Sequence, residues 1–215
     1  MSKNYVEFTE AMKKDYTILI PDMLPMHFKM IRRIMKNYGY NAEILFTIGP
    51  EISETGLQYV HNDTCYPAIL VIGQLIHAVQ SGKYDPHKVA LMLPQTGGGC
   101  RASNYVSLLR KALDKAGYGY IPVIPFGIAG LEKHSGWDLS LPMLHRRIYA
   151  VLYGDLLMSL VNQTRPYEIN KGESEALAEK WTVDLTDEMA STRMKYKRIK
   201  ENYRRIVEDF SKIPA

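Results

Sequence analysis

Val89-Ala-Leu-Met-Leu93 runs directly into Pro94-Gln-Thr-Gly-Gly-Gly-Cys100. The apolar run is too short for a helix and lacks the alternation of a half-solvated strand. It reads as a strand buried on both faces, the kind found in parallel sheets covered by helices. Ser103 to Ala116 follows as a helix, ended by Gly117. Ile121-Pro-Val-Ile-Pro-Phe126 is a further strand, and its two prolines suit a sheet edge.

The same alternation holds toward the N-terminus. Tyr16-Thr-Ile-Leu-Ile20 is a strand stopped by Pro21. Pro25 to Tyr38 carries Met26, Met30, Ile31, Ile34 and Met35 at helical spacing, with Gly39 where a C-terminal cap belongs. Asn41 to Thr47 is a second strand, ended by Gly49-Pro50. Ile52 to Tyr59 is a short helix, and Ala68 to Gln80 is a longer one with Ile69, Ile72, Leu75, Ile76 and Val79 on one face. Between them lies the polar loop His61-Asn-Asp-Thr-Cys-Tyr-Pro67. Asp63 or Thr64 is expected to cap the helix after it, and Pro67 to fall in the first turn. Beyond Phe126, residues 127–138 are loop-like. Leu141 to Val161 is a long apolar helix, and Glu173 to Ala190 and Arg193 to Phe210 are two more.

Strand–helix alternation calls for right-handed crossovers. The expected fold is α/β: an open, mainly parallel four-stranded sheet, Rossmann-like or flavodoxin-like, with a C-terminal α-helical extension. The expected division is a polar lead-in at 1–15, an α/β domain at 16–138 carrying both cysteine loops, and the helical extension at 139–215.

Composition narrows the function classes. The 215 residues are 46% apolar and 23% charged, the balance of a globular chain rather than a disordered or fibrous one. A net charge of +4 is too mild to argue for nucleic acid. Its main source, Arg193, Lys195, Lys197, Arg198, Lys200, Arg204 and Arg205, reads as a solvated helix face rather than a phosphate-binding surface. No apolar run reaches the roughly 18 residues of a membrane span, and residues 1–15 lack a signal-peptide core. A cytoplasmic, membrane-free protein is expected. Two cysteines are not a disulfide scaffold, so Cys65 and Cys100 are expected as free thiols.

Ligands of open α/β sheets bind beyond the carboxyl ends of the strands, and both cysteine loops are expected there. Asn62, Asp63, Thr64 and Cys65 lead into one helix. Gly97, Gly98, Gly99, Cys100 and Arg101 lead into the next. Three glycines permit positive φ and close backbone approach to a ligand. A helix N-terminus and the Arg101 charge both favour a thiolate, the form that binds metal or attacks a substrate. The plainer readings are a small buried apolar cysteine and a flexible glycine turn. The loop matches neither the phosphate-binding nor the dinucleotide pattern, since Arg101 and Ala102 stand at the deciding positions. His27, His77 and His145 read as core or surface. His61, four residues from Cys65, is a weaker candidate for a role. Trp137 and Trp181 read as core or hinge anchors.

His61-Asn-Asp-Thr-Cys-Tyr-Pro-Ala-Ile-Leu-Val-Ile-Gly-Gln74 and Pro94-Gln-Thr-Gly-Gly-Gly-Cys-Arg-Ala-Ser-Asn-Tyr105 resemble the C-terminal region of the large CoA-substrate-specific enzyme activases. These are acyl-CoA dehydratase activase-related proteins, kin of the D-component of 2-hydroxyglutaryl-CoA dehydratase. Tyr153 to Met158 and Asn162 to Glu168 look like further segments of that family. The resemblance implies a domain associated with a [4Fe–4S] or related cluster, relaying low-potential electrons to 2-hydroxyacyl-CoA dehydratases. Cys65 and Cys100 would be cluster ligands, and Asn62, Asp63, Thr64, Gly97, Gly98, Gly99 and Arg101 the binding loop. The implied partners are ATPase activase domains and a dehydratase-type protein. The chain departs from the family in having no ATPase domain and resembles one excised domain. A four-iron cluster usually takes four thiolates, so the remaining ligands are expected from a missing domain, a second copy or non-cysteine groups, and catalysis by the chain alone is not expected. The alternatives are a non-redox module holding CoA, acyl-CoA or another anion on the glycine loop, and a docking domain for the ATPase half using the long helix at Leu141.

Overall fold

The structure, a computed structural model, describes residues 5–95, 98–127, 134–138, 140–191 and 195–214. The chain folds as two compact units, Met1–Met23 with Gly39–Asp138, and Leu24–Tyr38 with Leu139–Ala215.

The first unit is built on four strands, β1 (Thr17–Pro21), β2 (Ala42–Leu45), β3 (Val89–Pro94) and β4 (Val123–Phe126). Their order is β2-β1-β3-β4 and every pairing is parallel. The sheet is the one expected from the sequence, with the proline-bearing β4 at its edge. The central pair is registered Thr17 to Val89 and Leu19 to Leu91. From Val89 to Leu93 every residue of β3 is buried, which explains its unbroken apolar run. On one side Val89, Leu91 and Leu93 pack with Ile72, Leu75 and Ile76 of α4 (Tyr66–Gln80) and Leu109 and Leu113 of α5 (Tyr105–Ala116). Burying each such side chain contributes about 2 kcal/mol before entropy is subtracted.

A shorter helix, α3 (Pro50–Tyr59), precedes α4. A Cβ on Gly56 would overlap the carbonyl of Ile69, and one on Gly73 the carbonyl of Ile52, so the backbones of α3 and α4 touch. Gln74 fixes α4 to the strands. Its amide donates to the carbonyls of Leu45 at 3.1 Å and Thr47 at 2.8 Å, and its oxygen accepts the Asp22 N–H at 3.0 Å. These three backbone groups lie at or just past the ends of β1 and β2, so one side chain supplies partners that loop backbone would otherwise lack.

The lead-in is less polar than its composition suggests. It contains a single helical turn, α1 (Met12–Asp15), and Phe8 is fully buried. The Phe8 N–H donates to His134 Nδ1 at 3.0 Å, and its carbonyl accepts the Gly136 N–H at 2.9 Å. The lead-in thus joins the core of the first unit.

The second unit is helical: α2 (Pro25–Asn37), α6 (Leu141–Thr164), α7 (Glu173–Ser191) and α8 (Tyr196–Phe210). It therefore draws Leu24–Tyr38 from within the expected 16–138 domain. His27 of α2, buried at 2% exposure, bonds through Nε2 to Asp155 of α6 at 2.8 Å. Tyr153 of α6 meets the buried Asn202 of α8 at 3.2 Å. Trp181 is a core residue, with the Arg205 guanidinium over its ring at 5.2 Å. On α8, Ile199, Asn202, Ile206 and Phe210 are buried, while Lys195, Lys197, Arg198, Lys200, Arg204 and Arg205 face solvent. The described part of the basic run is thus the solvated face the sequence suggests; Arg193 lies outside the described residues. No described helix is long and apolar enough to cross a membrane.

Candidate functional site

Both cysteines lie beyond the carboxyl ends of the strands. Cys100 follows β3 after the glycine loop. Cys65 stands nine residues before Gln74, which puts it roughly 13 Å up α4 from the strand ends at 1.5 Å per residue. Each cysteine occupies an N-cap position. Cys65 caps α4, and its carbonyl accepts the Ala68 N–H at 2.9 Å. Cys100 caps a 3-10 turn, Arg101–Asn104, that leads into α5, and its Sγ accepts the Ala102 N–H at 3.5 Å. Both thiols are free, Cys65 half-buried and Cys100 exposed.

The two expected caps of α4 are corrected by this geometry. Neither Asp63 nor Thr64 caps the helix, because Cys65 already occupies that position and Tyr66 and Pro67 form the first turn. The residues before it close a turn of their own. Thr64 N–H donates to the His61 carbonyl at 3.0 Å, and Asp63 N–H donates to His61 Nδ1 at 3.2 Å. His61 is thus engaged within its own loop. Asn62 and Asp63 are exposed and Thr64 half-buried. The helix expected from Ser103 also begins differently, as the 3-10 turn followed by α5 from Tyr105. Cys100 therefore has one tight turn beside it rather than the start of a long α-helix.

The glycines also differ from expectation. Gly98 and Gly99 are exposed and do not adopt positive φ, and a Cβ on either would meet no heavy atom within 4 Å. Among the described residues nothing requires glycine at these two positions. Gly97 lies outside the described residues. Arg101, next to Cys100, is exposed.

The residue that joins the two cysteine loops is Tyr105. Its hydroxyl lies 3.1 Å from Cys65 Sγ, forty residues away in sequence. Its ring belongs to the core cluster and is only 5% exposed. Burial, then the hydrogen bond with Cys65 and the electrostatic influence of Cys65 and Cys100, push the phenol from 10.0 up to about 12. Either atom can be the donor in this contact, and of the two the phenol O–H is the stronger donor. Sequence reasoning missed this role, although Tyr105 closes the same Pro94–Tyr105 stretch. The available signal was a phenol at the first position of the helix that follows Cys100.

The donor set can be tested against a four-iron cluster, which takes four cysteine ligands. The chain has two cysteines, and among the described residues no three His, Cys, Asp or Glu side chains gather. Cys65 and Cys100 are half of such a set, so the chain by itself does not fit a complete cluster. A separate cavity of about 200 Å³ opens near the ends of β1 and β2, lined by Asp22, Thr47, Ile48, Ile52, Leu70 and Val71 among others. Neither cysteine is among its lining residues. Comparison of the chain with protein-family models, with curated proteins and with solved structures finds no match.

Proposed function

We propose that this chain is the thiol-bearing module of an ATP-dependent activase for 2-hydroxyacyl-CoA dehydratase-type systems, and that Cys65 and Cys100 are half of an iron–sulfur site. The other ligands come from outside the chain, from an activase or dehydratase-type partner or from a second copy. The cluster, a [4Fe–4S] or related type, would supply low-potential electron transfer when the site is complete. The chain's own contribution is to present two thiols on adjoining loops. The observation that carries this reading is the 3.1 Å contact between Cys65 Sγ and the hydroxyl of Tyr105, the residue that opens the helix following the Cys100 turn. The open space around Gly98 and Gly99 supports it, because backbone there is free to approach a bulky group. Backbone N–H groups near such a site tune a cluster by donating to its sulfurs.

The test is anaerobic reconstitution with ferrous iron and sulfide, followed by visible absorption and iron analysis. The wild-type chain and the Cys65→Ser and Cys100→Ser variants are compared, each first confirmed as folded by circular dichroism. Charge-transfer absorption is expected in the wild type only when a ligand-donating partner or a second copy is present, and in neither variant. Equal iron content in wild type and variants would end the proposal.

A further inference from the structure

We infer that the outward face of α6 pairs with the same face of a second copy of this chain, the two helices running antiparallel about a two-fold axis level with Ala150. Iron chemistry plays no part in this contact, so its test and the iron analysis can fail separately.

One side of α6 is buried, through Met143, Ala150, Leu157 and Val161. The opposite side is apolar too, yet Leu141 is 80% exposed and Ile148, Val151 and Leu152 are 46%, 43% and 42% exposed. The outward face of α7 is charged instead, with Glu175, Glu179, Asp184 and Asp187 exposed, and that of α8 is basic. A helix that is apolar all round is one built to be covered all round.

The spacing says what covers it. The exposed residues Leu141, His145, Ile148, Leu152, Asp155 and Ser159 follow one another at intervals of four and three, the seam of a coiled coil. That series reads the same in both directions. In an antiparallel pair level with Ala150, Ile148 meets the partner's Leu152, His145 the partner's Asp155 and Leu141 the partner's Ser159. On the flanks Leu144 meets the partner's Leu156, and Val151 the partner's Tyr149. Apolar groups thus face apolar groups through the middle, and an imidazole faces a carboxylate on either side of them. A parallel pair would set Asp155 against the partner's Asp155, a like-charge contact that disfavours that arrangement. The acceptor is already in place: Asp155 Oδ1 bonds His27 Nε2 at 2.8 Å while its side chain stays 61% exposed. From Leu141 to Ser159 the seam is about 27 Å long at 1.5 Å per residue. That is short of a full-sized interface of roughly 800 Å² per chain, so a reversible, concentration-dependent pair is expected.

The test is analytical ultracentrifugation of the metal-free full chain over a concentration series. The wild type is expected to approach twice the chain mass as concentration rises. Ile148→Asp puts a carboxylate into the apolar centre of the seam, and His145→Glu sets like charges together. Each is expected to weaken self-association at least about tenfold. Both positions are exposed, and circular dichroism verifies that each variant is folded. A chain that is monomeric at every concentration would leave this face to another protein and overturns the inference. A dimer that either variant retains at full strength overturns it too. Register is read by copper–phenanthroline oxidation in a Cys65→Ser, Cys100→Ser background. Ile148→Cys chains mixed with Leu152→Cys chains are expected to cross-link to each other more than either does to itself. Preferential self-linking of Ile148→Cys chains, the mark of a parallel pair, overturns the inference as well.

Discussion

Tyr105 reaches across from the start of α5 to place its hydroxyl 3.1 Å from Cys65 Sγ at the start of α4. Two loops that lead into different helices are thereby joined by one side chain rooted in the core. Burial is the leading cause of the raised phenol, and the two thiols add to it. Cys65→Ala is therefore expected to bring the Tyr105 midpoint down from about 12 while leaving it above 10.0. Tyrosine ¹³Cζ titration reads this directly. The sign for stability follows: the folded state favours the neutral phenol, so this contribution is complete below pH 10.0 and is lost as pH rises toward 12. A midpoint already at 10.0 in the wild type would contradict the placement of the phenol.

Gly98 and Gly99 need no left-handed backbone, and a methyl group on either Cα would have no neighbour within 4 Å among the described residues. Gly98→Ala and Gly99→Ala are expected to change thermal stability by no more than about 0.5 kcal/mol. If backbone at these positions approaches a bound group, the same substitutions reduce iron loading of the completed site. A large loss of stability in either variant would show that the loop packs against neighbours it is not seen to touch.

Gly154 lies against the His27 ring, and a Cβ there would come 2.5 Å from His27 Cδ2. Asp155, the next residue on α6, bonds the ring's Nε2 at 2.8 Å. Gly154→Ala is expected to cost about 2 kcal/mol through overpacking, read by chemical denaturation. A neutral effect would mean that α2 and α6 separate easily at this point.

Glu168 caps α7. Its carboxylate accepts the N–H groups of Gly172 at 2.6 Å and Ser174 at 2.9 Å. The Ser174 side chain, then the Gly172 and Ser174 backbone donors, hold it below the usual 4.5. A lowered carboxylate stabilises the fold above pH 4.5 and stops doing so as pH falls through its folded value. Glu168→Gln is expected to lower the melting temperature at neutral pH, with the gap to wild type closing below pH 4.5. A gap that stays constant with pH would assign the effect to packing instead of charge.

The strands and most helices are legible because local pattern dictates them. Val89–Leu93 is apolar throughout because it is buried throughout, and Gly39 and Gly117 end their helices with positive φ, as their positions suggest. What local pattern does not carry is which surfaces meet. Nothing near Gly56 or Gly73 announces that α3 and α4 touch through backbone. Phe8 has no periodic pattern around it to mark it as core, and its burial depends on His134, far along the chain. Of the site, the cysteine loops were visible as motifs. Tyr105 was not, because its role depends on a contact spanning forty residues. The Tyr153-Gly-Asp155 stretch similarly gains its meaning from Asn202 and His27, which lie on other helices.

Native mass spectrometry under anaerobic conditions, after reconstitution with ferrous iron and sulfide, weighs the shared site most directly. Two thiols per chain are half of a four-cysteine set. A four-iron cluster mass is expected only on species holding two chains or a chain with a partner, and on none formed from Cys65→Ser or Cys100→Ser. A complete cluster on the monomeric chain, or one retained by either variant, would contradict it.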